Sequence, residues 1–279
     1  MPFFLLSWLG GLVAVATVTA VVLSPRTLAR PLAPAATPDH IVLAVLENHS
    51  YPQIMDGAEA PFIHDLARRG ALFTRSFALM HPSQPNYLAL FSGSTQGVTD
   101  DQDHEFDAVT LADRLKERGK SFAGYVEDGS PRKHNPWESF RRSADVERSF
   151  REFPRDFDQL PTVSFVVPDE RDDMHDGSIG QGDRWLRDNL GRYVEWSRSH
   201  NSLFILTFDE DNDRARNRIA TIFAGDGVVP GRYHQRIDHY SVLRTILAMY
   251  GLPPLAQTAF ATPVDSIWGP HRYQSGLSH

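Results

Sequence analysis

The chain has 279 residues, 41% of them hydrophobic and 23% charged, which supplies enough apolar material for one sizeable globular core. A formal net charge of -7 argues against a nucleic-acid binder, which carries a basic excess on one face. With no cysteine in the chain, disulfides, thiolate metal sites and cysteine nucleophiles are excluded, and any metal must take oxygen or nitrogen ligands.

Met1 to Ser24 contains no charged side chain, and Phe3 to Leu23 is almost continuously apolar. That run reads as an export segment, either a cleaved signal or a membrane anchor. Arg26 and Arg30 follow it on a flank that the positive-inside rule would keep in the cytoplasm. Export is still the expectation, because residues 25–38 form a Pro/Ala linker into an ordinary soluble domain spanning residues 39–279. Within that domain, β-branched and aromatic runs alternate with helical patterns, which predicts a three-layer α/β/α sandwich around a mostly parallel sheet. Strands are predicted at His40 to Leu46, Ala71 to Phe77, Phe122 to Val126, Thr162 to Val167, Ser202 to Phe208 and Ile219 to Ala224. Helices are predicted at Pro61 to Arg69, Thr110 to Arg118, Gly182 to Ser197 and Tyr240 to Tyr250, three of them followed by a glycine (Gly70, Gly119, Gly251). Asp128 to Gln159 is charged and irregular and reads as a loop insertion over the sheet edge or the site mouth.

Ligands in open α/β sheets bind beyond the carboxyl ends of the strands, so the residues just after each strand carry the functional reading. Glu47 and Asn48, Glu127 and Asp128, Asp169, and Asp209 and Glu210 all fall there. One acidic residue after a strand is most simply a cap or a solvated turn, but several on one edge need a cation. Glu47, Asn48, Asp209 and Glu210 make a chemically sensible oxygen set for one divalent ion. The spacing of Asp209, Asp211 and Asp213 does not make an EF-hand, because Arg214 and Ala220 stand at the glycine and glutamate positions.

In His81-Pro82-Ser83-Gln84-Pro85-Asn86-Tyr87 the proline suits the first turn of a helix, so Ser83 falls at a helix N-terminus. Backbone N–H groups and the helix dipole favour a phosphate there and ease ionisation of the hydroxyl. The plain alternative is a serine that caps the helix. His175 and His239 are suited to a second metal or to proton donation. Lys133, His134 and Asn135, in the irregular middle, are suited to phosphate oxygens.

These residues make the sequence resemble the bacterial and fungal phosphoesterase family of acid phosphatases and phospholipases C, members of the alkaline phosphatase-like superfamily. The resemblance rests on Glu47-Asn48-His49-Ser50-Tyr51, the His81 to Tyr87 segment, Asp173-Met174-His175-Asp176-Gly177 with Gly182-Asp183-Arg184-Trp185-Leu186, Thr207-Phe208-Asp209-Glu210, and His239-Tyr240-Ser241-Val242-Leu243-Arg244. It implies that Glu47, Asn48, Asp209 and Glu210 hold one divalent metal, and that Ser83 touches it and forms a phosphoserine. It also implies that His175 and His239 line the pocket. The expected substrate-binding set is Lys133, His134, Asn135, Asp176 and His239, with Ser83 and His175 catalytic. The expected partner is a small-molecule phosphate ester, the short chain pointing to the acid phosphatase branch ahead of a phospholipase C. A serine carboxylesterase is the rival from another class, but no Gly-x-Ser-x-Gly surrounds Ser83 or Ser94.

Overall fold

The structure, a computed structural model, describes residue 1 and residues 37–269. The expected export segment and all but the last two linker residues lie outside the described part. Those two are tied to the domain: the Thr37 carbonyl accepts from Asn201 Nδ2 at 2.9 Å, and the Pro38 carbonyl accepts from the Tyr250 hydroxyl at 3.1 Å. Among the described residues, no helix is long and apolar enough to cross a membrane.

The first half of the chain runs β1 (His40–Leu46), α1 (Tyr51–Met55), α2 (Pro61–Arg69), β2 (Ala71–Phe77), α3 (Ser83–Ser92), α4 (Leu111–Lys116) and β3 (Phe122–Val126). It continues through β4 (Glu147–Ser149), β5 (Val163–Val167), α5 (Ile179–Ser197), β6 (Ser202–Phe208), β7 (Arg218–Gly225), β8 (Gly231–Tyr233), β9 (Ile237–Asp238) and α6 (His239–Met249). The sheet order is β4-β3-β5-β1-β6-β7-β2-β8, with β9 beside β2. Alternation along β1 shows why the sheet is covered on both faces. Ile41, Leu43 and Val45 enter one core with residues of α3, α4 and α6, while Val42, Ala44 and Leu46 enter another with α1, α2 and α5. The expected three-layer, mostly parallel architecture is the one observed.

Two details refine the sequence reading. β7 is antiparallel to both β6 and β2, because residues 209–217 are too few for the crossover helix that a parallel return needs. The segment Asp128 to Gln159 is not an irregular loop throughout. It contains short 3₁₀ turns, including Arg132–His134 and Pro136–Ser139, and β4, which pairs in parallel with β3 at the sheet edge. Trp137 anchors it: the ring is fully buried, its Nε1 donates to Glu147 Oε2 at 2.7 Å, and it fills the space where a Cβ on Gly124 would stand. This packing is what carries the preceding His134 into the site.

Candidate active site

Parallel pairing sets the site. Leu46 is in register with Phe208, so β1 and β6 release Glu47 and Asp209 side by side. Backbone bonds continue past the strands: Asp209 N–H donates to the Leu46 carbonyl and Glu47 N–H to the Asp173 carbonyl, each at 2.9 Å. Asn48 turns in the left-handed region at φ 46°, which asparagine tolerates, and its N–H donates to Asp209 Oδ1 at 3.0 Å.

Ser83, the first residue of α3, meets this group. Its Oγ lies 3.1 Å from Glu47 Oε2 and 3.4 Å from both Asn48 Oδ1 and Glu210 Oε1. One hydroxyl proton serves one acceptor, so the nearer Glu47 oxygen takes it and the other two oxygens stand against the Ser83 oxygen. The Asn48 amide lies against both carboxylates. With its nitrogen toward them it donates to Glu47 Oε2 at 3.1 Å and Glu210 Oε1 at 3.3 Å; turned over, it offers a neutral oxygen ligand. One N–H expected to be free at the start of α3 is occupied, since Gln84 N–H donates to Asp101 Oδ1 at 3.0 Å.

His134 is fully buried on the other side of Glu47, with Nε2 3.3 Å from Glu47 Oε1 and Nδ1 3.4 Å from Asp173 Oδ2. Its ring stacks on Tyr87 at 5.1 Å, and the Tyr87 hydroxyl donates to Glu47 Oε1. Glu47 thus belongs to two neighbouring groups, one with Ser83, Asn48 and Glu210, the other with His134 and Asp173. The second is a cluster with metal-ligand spacing, where the sequence reading had expected ligands for one ion only.

The remaining expected residues stand further out. His175 is half-buried; its N–H donates to Asp173 Oδ1 at 2.8 Å and its Nδ1 lies 2.9 Å from the exposed Asp176 carboxylate. Lys133 Nζ sits 3.8 Å from both Asp101 and Glu170. Asn135 is buried and bonded within its own segment, to Glu138 and Ser130. His239 is buried and reaches the site only through backbone, its Nε2 bonding the Asp209 carbonyl at 2.7 Å.

Sequence reasoning had passed over Tyr87, Asp173 and His81 as site residues. Tyr87 was within reach, because it lies one helical turn after Ser83 and so shares its face of α3. His81 Nδ1 lies 2.9 Å from Glu210 Oε2.

Burial dominates the electrostatics. Glu47 and Asp209 are pushed above the usual carboxylate range by desolvation, Glu47 further by the charges of Asp209 and Asp173. Burial, then neighbouring acidic charge, pushes Asp173 up to about 8 and Glu210 up to about 9. Burial also lowers His134 to about 3, so its ring is neutral at physiological pH.

The carboxyl edge of the α/β sheet thus gathers a buried serine at a helix start with several carboxylates, where sheets of this kind place their ligands. The chain belongs to the phosphoesterase family, whose sequence profile matches residues 53–253. It is 42% identical over 257 residues to a phosphatidylinositol-3-phosphatase from Mycobacterium tuberculosis, covering 85% of this chain and 86% of that one. It is 30% identical over 248 residues to an acid phosphatase from Aspergillus fumigatus, covering 76% of this chain but 55% of that longer protein. Among solved structures it resembles an alkaline phosphatase superfamily protein from Vibrio parahaemolyticus (TM-score 0.58, 15% identity, 78% and 68% of the two chains). The lipoteichoic acid synthase LtaP from Listeria monocytogenes is similar in fold (TM-score 0.59, 11% identity, 86% and 79%). With its relatives named as phosphatases, the chain is a phosphoric ester hydrolase.

Proposed function

We propose that the protein is a metal-dependent phosphomonoesterase of the acid phosphatase type, with Ser83 as nucleophile. The observation that carries the reading is the meeting of the Ser83 hydroxyl with Glu47, Asn48 and Glu210 within 3.4 Å. The donor set suits a divalent cation. Glu47, Asp173, Asp209 and Glu210 are buried together, no lysine or arginine among the described residues pairs with them, and the Oδ2 atoms of Asp173 and Asp209 take no hydrogen bond. Like charges this close are stable only when protonated or neutralised by a cation. Glu47, Asn48, Ser83, Asp209 and Glu210 would hold one ion, with His134 and Asp173 adjoining it through Glu47. A bound divalent ion supplies charge that offsets the phosphate oxygens and favours the ionised serine.

In this mechanism Glu47 Oε2 is the first acceptor of the Ser83 proton. The freed oxygen attacks phosphorus in line, while His134, stacked on Tyr87, stands against the other Glu47 oxygen. His175, held at Nδ1 by Asp176, gives a proton from Nε2 to the leaving alkoxide. Water then hydrolyses the phosphoserine. Ser83→Ala is expected to abolish hydrolysis of p-nitrophenyl phosphate while metal content, measured by mass spectrometry, stays the same; undiminished turnover overturns the assignment. A chelator separates this reading from a serine carboxylesterase, which would keep its activity.

Similarity to the phosphatidylinositol-3-phosphatase along most of both chains favours a phosphoinositide monoester as the first lipid substrate to assay. Phospholipid diesters tested beside it distinguish a phospholipase C. Export is part of the proposal and rests on the uncharged segment Met1 to Ser24.

A further inference from the structure

We propose that His81 is a positioning residue that holds Glu210 toward Ser83. The inference rests on the functional reading above and concerns a residue to which that reading gives no role. His81 is on the segment that leads into α3, whereas Glu210 begins the connection between β6 and β7. The imidazole bridges the two. Nδ1 lies 2.9 Å from Glu210 Oε2, and Nε2 lies 3.2 Å from Asp211 Oδ1 and from Asp213 Oδ1. The other Glu210 oxygen, Oε1, is the one 3.4 Å from Ser83 Oγ. One carboxylate therefore has one oxygen in ion-pair contact with His81 and presents the second to the nucleophile.

The far side of the imidazole rests on a fixed turn. Asp211 Oδ1 accepts from Asp213 N–H at 2.7 Å, and its Oδ2 accepts from Ala215 N–H at 2.7 Å and Asn217 N–H at 3.0 Å. Asn217 Oδ1 accepts from Asp211 N–H at 2.9 Å, and the Asn217 carbonyl accepts from Ala78 N–H at 2.8 Å, just past β2. Both Asp211 oxygens are thus committed to backbone, and both His81 nitrogens face carboxylates. The group His81, Asp211 and Asp213, which has metal-ligand spacing, ties the imidazole to this turn by ion-pair contacts. Asp213 contributes least to it, since its side chain is 81% exposed. A glutamate released from such a tie regains rotamer freedom, and misplacement by an ångström is enough to slow a reaction strongly.

The test compares His81→Asn with His81→Gln, because an asparagine amide nitrogen reaches close to the Nδ1 position and a glutamine amide close to Nε2. Each variant and the unaltered protein would be freed of metal and titrated with Mn(II) followed by electron paramagnetic resonance. Each would then be assayed for kcat and KM on p-nitrophenyl phosphate. His81→Gln, which keeps the turn contact and loses Glu210, is expected to lower kcat and Mn(II) affinity about tenfold with KM little changed. His81→Asn is expected to restore most of both. Equal behaviour of the two variants, or values for His81→Gln matching the unaltered protein, overturns the proposal. An unaltered protein inert toward p-nitrophenyl phosphate overturns the functional reading instead, and Mn(II) affinity of the two variants still decides the role of His81. A protein that takes up no Mn(II) overturns both.

Discussion

Ser83 Oγ lies 3.1 Å from Glu47 Oε2 although 36 positions separate the two residues. The contact joins the start of a helix to the end of the central strand, so a nucleophile and a charged acceptor are fixed by two rigid elements. Glu47→Gln keeps the shape and removes the charge. Hydrolysis of p-nitrophenyl phosphate is expected to fall by about 100-fold or more, with a parallel loss of bound divalent metal. Full metal occupancy together with full turnover in this variant would remove Glu47 from the site.

Tyr87 tests the same carboxylate from the opposite oxygen. Its hydroxyl donates to Glu47 Oε1 and lowers the Glu47 pKa against the rise caused by burial and by Asp209 and Asp173. Tyr87→Phe removes the donor, so Glu47 moves further up and ionises later. The acid limb of the activity profile should shift to higher pH, and stability should fall by about 1–3 kcal/mol for the buried acceptor left unpaired. A profile superimposable on that of the unaltered protein would contradict this assignment of the Glu47–Tyr87 pair.

Much of this arrangement was legible in the sequence, and the parts that were not share a cause. The ranges His40 to Leu46, Ala71 to Phe77 and Ser202 to Phe208 coincide with β1, β2 and β6, because each is an apolar run bounded by polar or turn-forming residues. Parallel strands place their carboxyl ends on one edge, so Glu47 and Asp209 could be paired before any coordinates. The antiparallel direction of β7 follows from the short connection before it and not from its composition, which suits either direction. His134 and Asp173 were harder. Their approach to Glu47 depends on Trp137 seating over Gly124 and on a turn after β5, which are long-range packing events without a local pattern. His81 contacts residues more than a hundred positions away, and no periodicity reports such a contact.

The carboxylate cluster makes a stability prediction for protein stripped of metal. Asp173 rises from 3.8 to about 8 and Glu210 from 4.5 to about 9, chiefly through burial. Between the unfolded and folded values the folded protein binds more protons than the unfolded chain, so stability falls as pH rises. His134, lowered by burial from 6.5 to about 3, acts in the opposite sense, but only below its unfolded value. From pH 7 to 9 the carboxylates act alone. The midpoint of thermal unfolding in chelator should therefore drop across that interval, and a saturating divalent ion should flatten the slope. A midpoint in chelator that stays level or climbs from pH 7 to 9 would contradict the cluster.

Asp183 gives a prediction away from the chemistry. α2 begins after Ala60, which has no side chain able to cap it, so the first N–H groups of that helix need an acceptor from elsewhere. The buried Asp183 of α5 provides it: Oδ2 accepts from Phe62 N–H at 3.0 Å and Oδ1 from Ile63 N–H at 2.9 Å. The two bonds, together with the favourable placement of a negative charge at a helix N-terminus, lock α2 against α5 across the layer that covers one face of the sheet. Asp183→Ala should cost roughly 3 kcal/mol, the lower end for two bonds to a charged acceptor, and Asp183→Asn, which keeps one acceptor oxygen, should cost less. Urea unfolding followed by circular dichroism measures both. Because no atom of Asp183 bonds to the Ser83 group, turnover per folded molecule should stay constant in both variants. A large loss of kcat without loss of stability would mean that Asp183 shapes the site itself and is not chiefly a helix cap.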